Sequence, residues 1–100
     1  MIEHDLAGMN VEKARQLTAW LSHWKLPPIL ETGDLVADLS DLYAAAVHYQ
    51  RLLDKILETP PGDDERLSGL LADLSVELQH ITDHAGTAQP NVDALAESLD

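Results

Sequence analysis

The sequence predicts an all-α protein in which two long antiparallel helices and shorter ones form a three- to four-helix bundle. Apolar residues recur at steps of three and four over two long segments, which is the period of a buried helix face. Proline pairs at 27–28 and 60–61 interrupt that period, because proline lacks a backbone N–H and disfavours helix in the preceding residue. A length of 100 residues suits one domain, so we expect a single bundle domain over residues 1–100.

The first predicted helix covers about residues 11–25. Asn10 has a side chain suited to an N-cap, and the proline pair at 27–28 ends the segment. Trp20 widens the apolar face of this helix. The pair Trp20 and Trp24 would form an interaction hot spot if exposed, but we favour a buried lid over the long helices. The face itself consists of Val11, Ala14, Leu17, Leu21 and Trp24.

The two long helices are predicted at about 35–58 and 64–85, joined by a Pro-Pro-Gly turn. Such a short connection makes the two helices antiparallel neighbours. The expected seam of the first is Leu35, Leu39, Leu42, Ala46, Tyr49, Leu53 and Ile56. The expected seam of the second is Leu67, Leu71, Leu74, Leu78, Ile81 and Ala85.

A short C-terminal helix is predicted after a break at residues 84–91. Gly86 and Pro90 are the residue types that end helices, and Asn91 could cap the next one. The first helix is shorter than the long pair, so part of the pair's apolar surface needs another cover. Either the C-terminal segment folds over it or a second copy does, and we expect a homodimer that completes the bundle.

The composition excludes several classes of function. Acidic residues number 18 against 6 basic ones, and a net charge of −12 argues against direct binding to nucleic acid or to anionic membranes. No cysteine is present, which excludes disulfides and thiolate chemistry. The absence of a signal-peptide pattern and of a long apolar run predicts a cytoplasmic protein.

The stretch VELQHITDHAG places Glu77, His80 and His84 at helical spacing. A Glu-x-x-His pair is typical of metal sites in bundles, but no second pair occurs and the expected seam of the preceding helix lacks carboxylates. We therefore predict no metal site and interpret His84 as a residue near a helix C-terminus, where the helix dipole favours a cation. His48 is interpreted as part of a solvated stripe. Weak metal binding or pH sensing by Glu77, His80 and His84 remains an alternative.

No catalytic motif is present: the sequence has neither a glycine-rich phosphate loop nor a Gly-x-Ser-x-Gly elbow. We therefore predict no enzymatic activity and no cofactor. The expected function is a protein–protein interaction module of the regulator, adaptor or immunity type, whose partner protein could be basic. An alternative is an acidic mimic of nucleic acid that occupies a nucleic-acid-binding protein. The candidate interaction residues are Trp20, Trp24, Asp73, Glu77, His80 and His84.

Overall fold

The computed structural model describes residues 2–24 and 31–99, and in this part of the chain the fold is all-α. It contains three helices, α1 (Ile2–Leu21), α2 (Thr32–Glu58) and α3 (Asp64–Ser98). No strand occurs within the described residues. The predicted all-α class is thereby confirmed, and the packing of the helices is that of a bundle. None of the described helices combines the length and the apolar character needed to cross a bilayer.

The central helix is α2, which packs against both α1 and α3. Asp38 on α2 contacts His84 on α3, and His48, further along α2, contacts Glu77. Residue numbers rise along α2 while those of the contacting residues fall along α3, so these two helices run in opposite directions.

The first helix begins earlier and ends sooner than the predicted range of 11–25. It runs over Ile2–Leu21, so Asn10 lies inside the helix and does not cap it. The Asn10 side chain instead donates a hydrogen bond to Asp41 on α2, so the polar group has a tertiary partner. Trp24 lies beyond the helix in a bend, and the predicted end near Lys25 falls outside the described residues.

The turn between α2 and α3 lies where the second proline pair predicts it. The Thr59 N–H donates to the Ile56 carbonyl at 3.1 Å and closes the last turn of α2. Gly62 has a φ of 97°, a backbone conformation that costs glycine little because it has no Cβ. Asp63 then caps α3 by accepting a hydrogen bond from the Arg66 N–H.

The predicted break at residues 84–91 and the separate C-terminal helix are wrong. One continuous helix of 35 residues, α3, passes through both Gly86 and Pro90. Tertiary contacts on both sides of the proline explain the difference: Ala88 before it and Asn91 after it are buried, and Asn91 Oδ1 accepts a hydrogen bond from the Glu31 N–H at 3.1 Å. These contacts offset the backbone hydrogen bond that Pro90 cannot make.

The buried face of each long helix is rotated by about one row from the predicted seam. On α2 the buried residues include Asp38, Ala45 and Leu52, whereas Ala46 and Leu53 from the predicted seam are exposed. On α3 the buried residues are Glu77, Ala88 and Asn91. The predicted seam residues Leu71, Leu78 and Ala85 are exposed. The rotation brings polar side chains of the two helices together and turns leucines outward.

The molecule is elongated and its core is thin. Its principal extents are 56 × 24 × 18 Å and its radius of gyration is 16.8 Å, against roughly 13 Å for a compact domain of this length. The best-packed cluster contains Leu21 of α1 and Leu35 of α2, with Ala94 and Leu95 of α3 against them. Much of the remaining apolar surface is therefore exposed.

Candidate functional site

The two tryptophans lie together and exposed at the C-terminal end of α1. Trp20 is 45% exposed and Trp24 is 43% exposed. Their ring centroids are 5.7 Å apart, and the ring planes are tilted by 59°. Trp20 belongs to the last turn of α1, and the bend after the helix places Trp24 beside it. The pair is therefore not the buried lid that the sequence favours, and both rings offer surface to a partner.

A groove of about 340 Å³ runs from Trp20 along the contact between α1 and α2. Leu17, Leu39 and Tyr43 supply most of its remaining apolar surface, and Lys13 and Gln16 supply polar atoms. The Lys13 ammonium lies 4.5 Å from the centroid of the Tyr43 ring, a cation–π contact that holds a positive charge at the edge of the groove. This arrangement can accept an apolar side chain and offers a donor to a neighbouring carbonyl or carboxylate.

A polar layer joins α2 to α3 and reaches α1. The His48 Nδ1 lies 2.7 Å from Glu77 Oε2. The His84 Nδ1 lies 2.8 Å from Asp38 Oδ1, and its Nε2 lies 3.3 Å from Asp41 Oδ2. The members of this polar layer are Asn10, Asp38, Asp41, His48, Glu77 and His84.

Two interpretations of histidines are corrected by this layer. His84 was expected near a helix end, but α3 continues for about four turns beyond it and its imidazole contacts carboxylates of α2. His48 was expected on a solvated stripe, but it is only partly exposed and contacts Glu77. Each imidazole contacts at least one carboxylate, so both side chains are engaged in contacts between helices.

Asp38 is the most constrained member of the polar layer. Its residue is 6% exposed, and within the described part of the chain its Oδ2 accepts no hydrogen bond. The carboxylate therefore depends on His84 as its partner at Oδ1. Sequence reasoning missed Asp38, Asp41 and Asn10. For Asp38 the signal was the matching register of polar residues on two antiparallel helices, which places Asp38 and His48 opposite His84 and Glu77.

The predicted trio Glu77, His80 and His84 does not converge on one point. Glu77 contacts His48, and His84 contacts Asp38, while the His80 ring lies edge-on to His84 with the centroids 4.4 Å apart. Within residues 2–24 and 31–99, no group of three or more histidine or acidic side chains is placed to hold a metal ion. His80 and Glu77 line a shallow groove of about 290 Å³ beside α1.

Of the predicted residues, Asp73 lies exposed on the surface of α3. Asp83 on the same helix is also exposed and accepts a hydrogen bond from the Gln79 amide at 2.9 Å. Glu77 is buried, so it does not display its carboxylate on that surface.

An acid on α1 has a local partner. The hydrogen bond from Arg15 holds the pKa of Glu12 below its usual value, and a hydrogen bond from Gln16 adds to the effect. This contact is internal to α1 and lies on its exposed side. It therefore takes no part in the polar layer.

The structure separates a surface suited to binding from a set of polar contacts that connects the helices. The tryptophan pair and its groove have exposed apolar area, whereas Asp38, Glu77 and His84 are largely occupied by one another and by their neighbours. No family model, curated protein or solved structure matches the chain, and what it does is inferred from these contacts.

Proposed function

We propose that the chain is a small acidic protein–protein interaction module that binds a partner protein at the C-terminal end of α1. The observation that supports this most directly is the exposure of Trp20 and Trp24, at 45% and 43%, side by side. Tryptophan is the residue type most enriched among binding hot spots, because it buries a large rigid surface at little cost in conformational entropy.

The groove beside the pair supplies the rest of an interface. Hot spots cluster where an apolar centre is surrounded by polar groups that exclude water. Here Trp20, Leu39 and Tyr43 form the centre, and Lys13 and Gln16 lie at its edge. A partner with an apolar anchor flanked by an acceptor for the Lys13 ammonium fits this arrangement.

The alternative functions receive less support from the same contacts. A mimic of nucleic acid needs a stripe of displayed carboxylates, but the predicted acid Glu77 is buried against His48, and Asp73 and Asp83 are exposed on different sides of α3. A metal-sensing module needs converging ligands, but His84 is engaged with Asp38. The histidine–carboxylate contacts favour a structural role for these residues.

We also propose that the module is a homodimer, as the uncovered apolar surface of the long helices suggests. The dimer would complete a four-helix bundle from the α2 and α3 helices of two copies. Leu71 and Leu78, both exposed on α3, would belong to its interface and are not part of the tryptophan groove.

The experiment that tests partner binding uses tryptophan fluorescence as its readout. The chain contains two tryptophans, both in the proposed site, so a partner that docks there shifts their emission to shorter wavelength. Proteins that this chain captures from extracts of the source cells would be purified and titrated against it. We expect the double variant Trp20→Ala/Trp24→Ala to lose at least about 30-fold in affinity, as expected for loss of about 2 kcal/mol.

The matched control is Val76→Ala, which removes an apolar side chain that is 71% exposed on the outer side of α3. It should bind with wild-type affinity. A captured partner that leaves the emission unchanged and binds the double variant as tightly as the wild type would show that the tryptophans are not the docking site.

A further inference from the structure

One side of the α2–α3 pair is apolar and uncovered. Leu71 and Leu78 are each 47% exposed, Val92 is 42% exposed, and on α2 Leu53 is 37% exposed. The three residues of α3 are separated by seven positions or a multiple of seven, and they therefore lie on one row of the helix. We name this surface the uncharged face and define it as Ala46 and Leu53 of α2 with Leu71, Leu78, Ala85 and Val92 of α3.

The uncharged face lies on the side of the pair opposite the polar layer. Around α2, the row that contains Asp38 is followed by the half-buried row of Leu42 and then by the exposed row of Ala46. Around α3, in the same rotational sense, the row of His84 is followed by the half-buried row of Ile81 and then by the exposed row of Ala85. Because the helices are antiparallel, both sequences of rows run in the same direction across the pair. Asn10 contacts the polar layer, which places that part of α1 on the other side. The C-terminal half of α1 packs against Leu39 and Tyr43, so on α2 the face is open from Ala46 onward.

Charge is excluded from this surface, although the chain carries a net charge of −12. On α3, the rows that start at Leu67, Ser68 and Leu71 and repeat every seven residues contain no charged residue as far as Leu99. On α2, the corresponding rows that start at Leu35, Val36 and Leu39 contain none as far as Leu57. The acidic residues of both helices lie on other rows.

A surface without charge on an acidic molecule fits a second copy better than another occupant. A basic peptide would be attracted by acids near the face, and those rows contain none. An anionic membrane surface would repel a chain of this net charge. A second copy, equally acidic, can approach closely only where neither surface presents charge. The uncharged face meets that condition where α1 does not cover it, at the end of the pair near the α2–α3 turn.

The open part of the face lies at the end of the pair near the α2–α3 turn, because Leu21 of α1 packs against Val36 and Leu39 at the start of α2. Residues 46–58 of α2 span about 20 Å at 1.5 Å per residue, and two adjacent helices are roughly 20 Å wide. The area available is therefore on the order of 400 Å² per copy, which is the size of a small interface that forms at raised protein concentration.

We propose that two copies pack the open parts of their uncharged faces together around a two-fold axis, and that the halves of α2 and α3 nearest the connecting turn form a four-helix bundle with α1 outside it. The residues directed at the centre of this bundle would be Ala46 and Leu53 on α2 and Leu71 and Leu78 on α3. All four belong to the apolar seams that the periodicity of the sequence predicts, so the dimer would bury the rows that one copy leaves exposed. The inference rests on the proposed homodimer and assigns its surface, and it does not depend on the tryptophan site.

The test measures the mass of the full chain in solution by sedimentation equilibrium over a concentration series. The wild type should sediment as a dimer at the upper concentrations of the series. Leu78→Glu and Leu53→Glu, one variant on each helix of the face, should sediment as monomers, because each places a carboxylate in the apolar contact. The matched control Val76→Glu adds the same charge on an exposed position of α3 outside the face and should remain a dimer.

Far-ultraviolet circular dichroism checks that each variant keeps its helices. If a glutamate variant unfolds, Leu78→Ala replaces it and should raise the dimer dissociation constant about tenfold or more with unchanged helicity. A monomeric wild type, or a dimer that Leu78→Ala and both glutamate variants leave intact, would overturn the proposal. The proposal would also be overturned if Trp20→Ala/Trp24→Ala dissociated the dimer and the substitutions at Leu53 and Leu78 did not. A dimeric chain whose tryptophan emission responds to no partner would contradict the proposed partner site alone.

Discussion

The residue on which the polar layer depends most is His84. Its imidazole contacts Asp38 at 2.8 Å and Asp41 at 3.3 Å, and Asp38 is 6% exposed. A buried carboxylate that loses its partner retains the cost of leaving water. We expect His84→Ala to lower the free energy of unfolding by about 2 to 4 kcal/mol in urea denaturation.

The neighbouring histidine is the matched control for this prediction. His80 is exposed, and its ring meets the His84 ring edge-on. His80→Ala should change the free energy of unfolding by less than about 0.5 kcal/mol. Equal effects of the two substitutions would mean that the contact between His84 and Asp38 contributes little to stability.

Among the helices, α3 carries the most informative substitution. Pro90 lies inside this helix. A proline at such a position removes one backbone hydrogen bond, and its ring crowds the carbonyl four residues earlier. Alanine restores the bond, so Pro90→Ala should raise the free energy of unfolding by about 1 to 3 kcal/mol in thermal or urea denaturation.

A proline outside the helices supplies the control. Pro61→Ala lies in the turn before α3, where no helical hydrogen bond is restored, and it should be neutral or slightly destabilising. If Pro90→Ala were equally neutral, the chain would break near Gly86, as the sequence pattern alone suggests.

The sequence was sufficient for the fold class and the turn after α2, because proline pairs and the apolar period act locally. It was insufficient for the end of α3. Gly86 and Pro90 weaken the helix, but the contact of Asn91 with Glu31 and the packing of Leu95 against the core stabilise it. Those contacts join residues that are distant in sequence, and the apolar period of the sequence does not predict them.

For the candidate sites, too, the sequence predicts the local features and misses those that depend on tertiary contacts. The tryptophan pair was identified from spacing, since residues one turn apart share a helix face, but its exposure depends on how α1 packs. The polar layer was missed because the apolar rows of α2 and α3 predict a different rotation of the helices. Only the register of Asp38 with His84 and of His48 with Glu77 reveals that rotation.

For the whole molecule, shape and charge act together. A net charge of −12 is spread over a body 56 Å long and only 18 Å thick, with 18 acidic residues against 6 basic ones. Repulsion among exposed carboxylates favours expansion, and salt screens it. The contacts of Asp38 and Glu77 are largely buried and are screened less. Added salt should therefore weaken the repulsion more than the attraction.

The expected outcome is a melting temperature that rises with sodium chloride between about 0.01 M and 0.3 M, over which the screening length falls from about 30 Å to below 10 Å. A gain of about 1 kcal/mol in the free energy of unfolding would raise the melting temperature by about 4 to 8 °C for a domain of this size. Asp73→Asn/Asp83→Asn removes two exposed acids from α3 and should reduce the response. A melting temperature that falls with salt would mean that attractive ion pairs outweigh the repulsion among carboxylates. The argument that repulsion between two acidic copies restricts their contact to the uncharged face would then fail.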